Sequence, residues 1–400
     1  MKLRHSLAAI FTFLLLATFL TACKKEGGAS GNEILIGEYA SINGQNATFG
    51  RSSHNGTVLA IDEINTGGGI LGKQIKLMSE DDNSKQEEAT SAVQKLINHD
   101  KVVALLGEVA SSRSRAGGQI AQQAKIPMIS PASTNEEVTR IGDYIFRICF
   151  IDPFQGEALA NFSMKTLHAT RAAILLDTKQ DYSIGLANSF RETMRKNGGA
   201  IVSEQAYSSG DKDFRAALTS IRASNPDVIF IPGYYSEVSL IVRQARELGI
   251  TCPLVGGDGW DSSELTKGAE KEFNGTYFSN HFSTEDPDPA VQNFIKKYKA
   301  KYSNDPDAMS ALGYDAANIL ADAIKRAGST DAKKLRDAIA ATKDFAGVTG
   351  SITINAERNA LKPLTILQIV DGKYHFAQRI SATGEPMTEF KPMSAPAPAK

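Results

Sequence analysis

Short apolar runs alternate with amphipathic helical patterns along most of the chain, and this alternation limits the fold more than any other feature. Residues 34–37 form an apolar run of strand type, and Thr57, Ala60, Ile61 and Ile64 then mark one helical face. Residues 74–78 are again strand-like, and Ala89, Ala92, Val93, Leu96 and Ile97 repeat the stripe of a helix packed on a sheet. The series continues as strand 102–106, helix 112–124 and strand 128–129. After Ile145-Phe146-Arg147 it resumes with helices at 154–167, 184–195, 214–222 and 238–248, separated by strands at 172–176, 201–205 and 228–231. Helices at 289–302, 308–327 and 331–341 and strands at 351–354, 365–369 and 374–376 complete the pattern. Such alternation predicts an α/β fold with two parallel sheets, each covered by helices on both faces.

The N-terminus predicts an extracytoplasmic destination. Lys2 and Arg4 precede an apolar stretch at 8–20 that ends in Leu20-Thr21-Ala22-Cys23. The stretch is shorter than the roughly 20 residues of a spanning helix, and the whole resembles a bacterial lipoprotein signal. Residues 1–22 are then a signal peptide, Cys23 carries the lipid, and the polar residues 23–32 are a flexible spacer. Lys24 stands where Asp would mark inner-membrane retention, which favours the outer membrane in a cell that has one. Without the signal, 42 basic residues face 45 acidic ones with no block of either sign, so nucleic acid is not an expected partner. Cys149 and Cys252 are too few for a disulfide framework and are expected as free, buried thiols.

Several motifs imitate enzymes without their context. Gly67-Gly68-Gly69-Ile70-Leu71-Gly72-Lys73 has the spacing of a nucleotide loop, but it follows a helix and precedes a strand, the reverse of what phosphate binding needs. A helix end and tight turn explain the glycines. Asp81-Asp82-Asn83 lacks the remaining ligands of a calcium loop and reads as a cap before Gln86. The histidines are scattered singly, and neither paired cysteines nor a Gly-x-Ser-x-Gly elbow occurs. No enzyme, cofactor or metal site is expected.

In open parallel sheets, ligands bind beyond the C-terminal ends of the strands. Two such loops, Gly107-Glu108-Val109-Ala110-Ser111-Ser112 and Ser130-Pro131-Ala132-Ser133-Thr134-Asn135, offer hydroxyls beside helix starts and could receive a carboxylate. Equally, Ser111 and Thr134 could cap their own helices. Farther on, Pro232-Gly233-Tyr234-Tyr235-Ser236 and Gly256-Gly257-Asp258-Gly259-Trp260-Asp261 hold an acid between glycines beside the chain's single Trp. Asp258 and Tyr234 could hold an ammonium group, with Trp260 as a wall, or the segment could be a turn with a packed aromatic.

These segments in this order resemble the Leu/Ile/Val-binding family of type I periplasmic binding proteins. The resemblance rests on Ile34-Leu35-Ile36-Gly37, Asp62-Glu63-Ile64-Asn65-Thr66-Gly67, Ile129-Ser130-Pro131-Ala132-Ser133-Thr134-Asn135 and Gly233-Tyr234-Tyr235 with Arg243-Gln244-Ala245. It implies two Rossmann-like lobes joined by three crossings: lobe 1 from 33–151 and 281–360, lobe 2 from 152–280 and 361–382, with 383–400 a loose tail. It implies that Ser111, Ala132 and Thr134, flanked by Val109, Ala110 and Ser133, hold an amino-acid carboxylate. Tyr234 and Asp258 would hold the ammonium, Asp258 standing where the branched-chain binders place Glu. Phe49, Tyr182 and Tyr314 would be aromatic walls, and Trp260 departs from the branched-chain pattern. The implied function is that of a monomeric substrate-binding lipoprotein, which hands an aliphatic or branched-chain amino acid to an ABC permease. A sensor of the same fold, or a receptor for an amide or aromatic acid, is the alternative.

Overall fold

In the computed structural model, residues 31–393 are described. The expected lipid-bearing Cys23, the signal peptide and most of the spacer lie outside them. The first half alternates β1 (Glu33–Ala40), α1 (Ala47–Thr66), β2 (Gln74–Asp81), α2 (Gln86–Asn98), β3 (Ala104–Leu106), α3 (Ser111–Ala124), β4 (Met128–Ser130), the short α4 (Glu137–Arg140) and β5 (Ile145–Arg147). These strands form a five-stranded sheet in the order β2-β1-β3-β4-β5.

The second half runs α5 (Asp152–Lys165), β6 (Arg171–Asp177), α6 (Asp181–Lys196), β7 (Ala200–Tyr207), α7 (Arg215–Ala223), β8 (Val228–Ile231), α8 (Tyr235–Glu247), β9 (Leu254–Gly256) and β10 (Thr276–Asn280). Helices α9 (Pro289–Tyr302), α10 (Ala308–Ala327) and α11 (Ala332–Ala340) follow. A small sheet of β11 (Phe345–Gly347), β12 (Gly350–Ile354) and β13 (Ala360–Leu361) comes next, and then β14 (Leu364–Val370) and β15 (Lys373–Ile380). The larger sheet has the order β15-β14-β10-β9-β8-β6-β7.

Within the larger sheet, β7-β6-β8-β9-β10 repeats the strand order of the first sheet. Each therefore has a switch point between its first and third strands, where loops diverge and leave a crevice. The α/β fold is as expected, and the larger sheet is mixed at one edge: β14 runs antiparallel to both β10 and β15. The short turn at Asp371 and Gly372, both with positive φ, allows only a hairpin.

Helix α10 lies on α1 at backbone distance. A methyl group on Gly56 would come 1.8 Å from the Ser310 carbonyl oxygen, and one on Gly313 would come 2.3 Å from that of Ser53. Glycine is required at both because backbone fills the space. As expected, Gly67 ends α1, and the positive φ of Gly68, Gly69 and Gly72 forms the turn into β2.

Two other local readings are corrected. Asp81 and Asp82 do not cap α2, whose cap residue is Lys85. Asp81 instead accepts from the backbone N–H groups of Ile42 and Asn43, and Asp82 from the Ser41 hydroxyl. The C-terminal segment is tied down as far as Met393: the Gln368 side chain bonds both backbone groups of Met393, and Phe390 packs on Phe162. Cys149 and Cys252 are unpaired, the first buried and the second half-buried.

Candidate functional site

The loops after β3, β4, β8 and β9 meet around a narrow cavity. Phe49, Val109, Ser111, Ala132, Thr134 and Met309 line it from one side, and Tyr182, Tyr234, Asp258 and Gly259 from the other. Parallel strands point their C-terminal ends the same way, which is why residues so distant in sequence converge here.

On the first side, Ser111 opens α3 without capping it, since the cap position is Ala110 and no side chain serves there. The Ser111 hydroxyl accepts from the Asn135 N–H at 3.2 Å. Thr134 Oγ1 is buried beside the Asp152 carboxyl but makes no well-formed hydrogen bond among the described residues. A buried hydroxyl without a partner is costly, and here it lines the cavity close to the start of a fourteen-residue helix. Ala110 and Ser133 do not line the cavity. The Ser133 hydroxyl bonds the carbonyls of Glu108 and Val109 and the Ser114 hydroxyl, so it joins the two loops.

Beneath this side lies a charged network that the sequence did not reveal. Arg113 Nε sits 3.1 Å from Glu108 Oε2, both side chains buried. Asp82 shares the site, where burial, assisted by the Glu108 charge, pushes its carboxyl up to about 8.

On the second side, Asp258 stands in a tight 3-10 turn, 258–260. Gln155 Nε2 donates to its Oδ1 at 2.7 Å, and His281 Nε2 lies 3.1 Å from its Oδ2. The His281 ring stacks on Phe150 with centroids 3.7 Å apart. Burial pulls the His281 pKa down to about 4 despite the opposing pull of Asp258, so the ring is neutral at pH 7. Gln155, His281 and Met309 are the site residues the sequence reading missed. Tyr182 and Tyr234 stack at 5.1 Å with planes 5° apart, and Phe49 meets Tyr234 edge-on. The Gly259 N–H donates to the Tyr182 hydroxyl at 3.1 Å.

Two expected walls lie elsewhere. Trp260 is fully buried under the turn, its indole N–H donating to the Ile231 carbonyl at 3.0 Å. Gly256 makes room for the ring, since a Cβ there would come 2.0 Å from it. Tyr314 bonds Glu63 and packs on Phe294. It follows Met309 by five residues, which turns it about 140° around α10, away from the cavity.

Contacts bridge the rim at two edges. Thr48 Oγ1 lies 2.9 Å from Ser262 Oγ, and the Tyr235 hydroxyl donates to the Gln45 carbonyl. At the other edge the Asp181 N–H donates to Ser112 Oγ and the Asn135 amide donates to the Asp181 carbonyl.

The sequence model of a periplasmic binding protein family matches residues 33–373. The Leu/Ile/Val-binding protein BraC3 of Rhizobium johnstonii is 31% identical over 324 residues, covering 80% of this chain and 87% of that protein. The crystal structure of the leucine-binding protein LivK of Thermotoga maritima superposes with a TM-score of 0.83 at 38% identity, covering 87% of this chain and 99% of the other. LivJ of Streptococcus pneumoniae, solved with isoleucine, gives 0.82 at 36% identity, covering 86% and 98%. With fold, strand order and sequence in agreement over nearly its whole described length, this chain belongs to the periplasmic binding protein family.

Proposed function

We propose that the protein is the extracytoplasmic receptor of an ABC importer and captures an aliphatic, branched-chain amino acid. The carrying observation is that Ser111 and Thr134 border the same cavity as Asp258, at its opposite wall. A zwitterion needs this pairing: hydroxyls and a helix N-terminus for the carboxylate, and an acid for the ammonium. Phe49, Val109 and Met309 supply an apolar surface for the side chain. The names of LivK and LivJ support the same ligand class.

In this reading, residues 33–151 with 281–360 form one lobe, and 152–280 with 361–382 the other. The first lobe takes the carboxylate, and closure brings Tyr234 and Asp258 onto the ammonium. Ligand contacts available only when closed supply the free energy of closure. The closed form then docks on the permease. The binding protein performs no catalysis, works as a monomer, and is held facing the periplasm by lipid on Cys23. With Trp260 removed from the cavity wall, the reason to favour an aromatic acid or amide disappears.

The test is a thermal-shift screen of the twenty amino acids against protein beginning at Lys24. Leucine, isoleucine or valine at about 100 times its Kd should add roughly 2.7 kcal/mol of stability. A screen in which none of the twenty raises Tm would overturn the reading.

A further inference from the structure

Asp258 is buried, and no Lys or Arg among the described residues pairs with it. Its two oxygens are held instead by Gln155 and His281. Gln155 cannot ionise. His281 is kept uncharged by burial among Phe150 and its neighbours. A carboxylate oxygen can only accept, so Nε2 of the ring carries the hydrogen; Nδ1 faces no hydrogen-bond partner among the described residues. Two neutral donors fix where the carboxylate points and leave its charge uncompensated. A buried carboxylate in that condition favours a cation strongly.

The two donors do not belong to the loops that form the cavity. Gln155 lies in the first turn of α5, just after the chain passes from the first sheet to the second. His281 directly follows β10, where the chain leaves the larger sheet towards α9. The glycines flanking Asp258 are packed as tightly: a Cβ at Gly257 would come 2.3 Å from the Tyr182 hydroxyl and 2.8 Å from Gln155 Oε1. The turn itself therefore has little freedom to re-aim a carboxylate that lost its donors.

We propose that Gln155 and His281 are the positioning residues for the ligand's α-ammonium: they set the Asp258 carboxylate so that the positive charge it receives is the ligand's own, and they thereby create the preference for amino acids over des-amino acids. This rests on the amino-acid reading above and deepens it. His281 and Gln155 act through Asp258 and need not touch the ligand.

The experiment compares L-leucine with 4-methylpentanoate, the same molecule without its amino group, by calorimetry on wild type, H281L, H281Q and Q155L. In H281L and Q155L the ratio of leucine to 4-methylpentanoate affinity should fall at least tenfold, with 4-methylpentanoate binding unchanged. H281Q, whose amide can donate to the same oxygen, should recover most of the ratio. Equal weakening of both ligands, or an unchanged ratio in both H281L and Q155L, would overturn the inference while leaving the amino-acid reading intact. Should H281L not fold, the Q155L ratio alone decides between these results. A wild type that binds no amino acid would overturn both.

Discussion

Arg115 Nη1 lies 2.7 Å from Asp181 Oδ2, joining α3 of the first sheet to the first residue of α6 in the second half. The pair lies at the edge where Ser112 and Asn135 also bond the Asp181 backbone. Both side chains are about a third exposed, so water and salt screen the attraction. Its contribution to a closed, ligand-bound state should stay below about 1 kcal/mol.

R115A should accordingly raise the Kd for leucine by no more than about fivefold. Calorimetry at low and high salt checks this: the wild-type advantage should shrink as salt increases. The neighbouring Ser112 and Asn135 bonds to the Asp181 backbone are neutral and should be indifferent to salt.

G56A should destabilise the fold by about 1–3 kcal/mol, because the added methyl meets the Ser310 carbonyl and the two helices must separate. Urea denaturation with an unchanged m-value would report the loss. G68A provides the contrast, since nothing lies within 4 Å of the added Cβ there and only its positive φ resists.

W260F should leave leucine affinity and side-chain selectivity within twofold of wild type, because the ring packs under the turn. Stability should drop by about 1–3 kcal/mol, as the buried Ile231 carbonyl loses its indole donor. A changed preference among leucine, isoleucine and phenylalanine would contradict this placement.

Two buried groups should give opposite pH signatures. Burial lowers the His281 pKa from 6.5 to about 4, so its stabilising contribution is complete above pH 6.5 and is lost as pH falls through 4. That loss amounts to about 3 kcal/mol by linkage. The groups acting on the ring are Asp258, which favours its protonation, and Lys362, which opposes it.

Asp261 behaves inversely. Burial and the nearby Asp307 raise its carboxyl to about 7, so stability is fullest below 3.8 and is lost as pH rises through 7. Subtracting the stability–pH curves of H281Q and D261N from that of wild type should isolate slopes of opposite sign.

The crevice was legible in the sequence because strand ends in parallel sheets dictate where loops gather; Ser111, Thr134, Tyr234 and Asp258 all sit one loop beyond a strand. Gln155 and His281 were not legible. They reach Asp258 from 103 and 23 residues away, one in the first turn of a helix and one just past a strand, and no spacing in the sequence pairs either with Asp258. Met309 was missed in favour of Tyr314 because a helical pattern over 308–327 does not say which of its faces meets the cavity. Trp260 read as a wall because a Gly-rich stretch suggests an open turn, whereas Gly256 is small in order to admit the indole. Strand β10 went unseen because Thr276-Tyr277-Phe278-Ser279-Asn280 is buried at every position, polar residues included, and so lacks an apolar signature.

Because α1 and α10 touch backbone to backbone at Gly56 and Gly313, Phe49 at the start of one and Met309 at the start of the other ride on a single stiff platform. The two helix backbones therefore cannot slide apart to admit a bulkier ligand. Retuning the pocket for longer side chains would have to shave atoms from these residues or from Val109, and a Met309→Ala exchange would do so away from the Gly56–Gly313 seam.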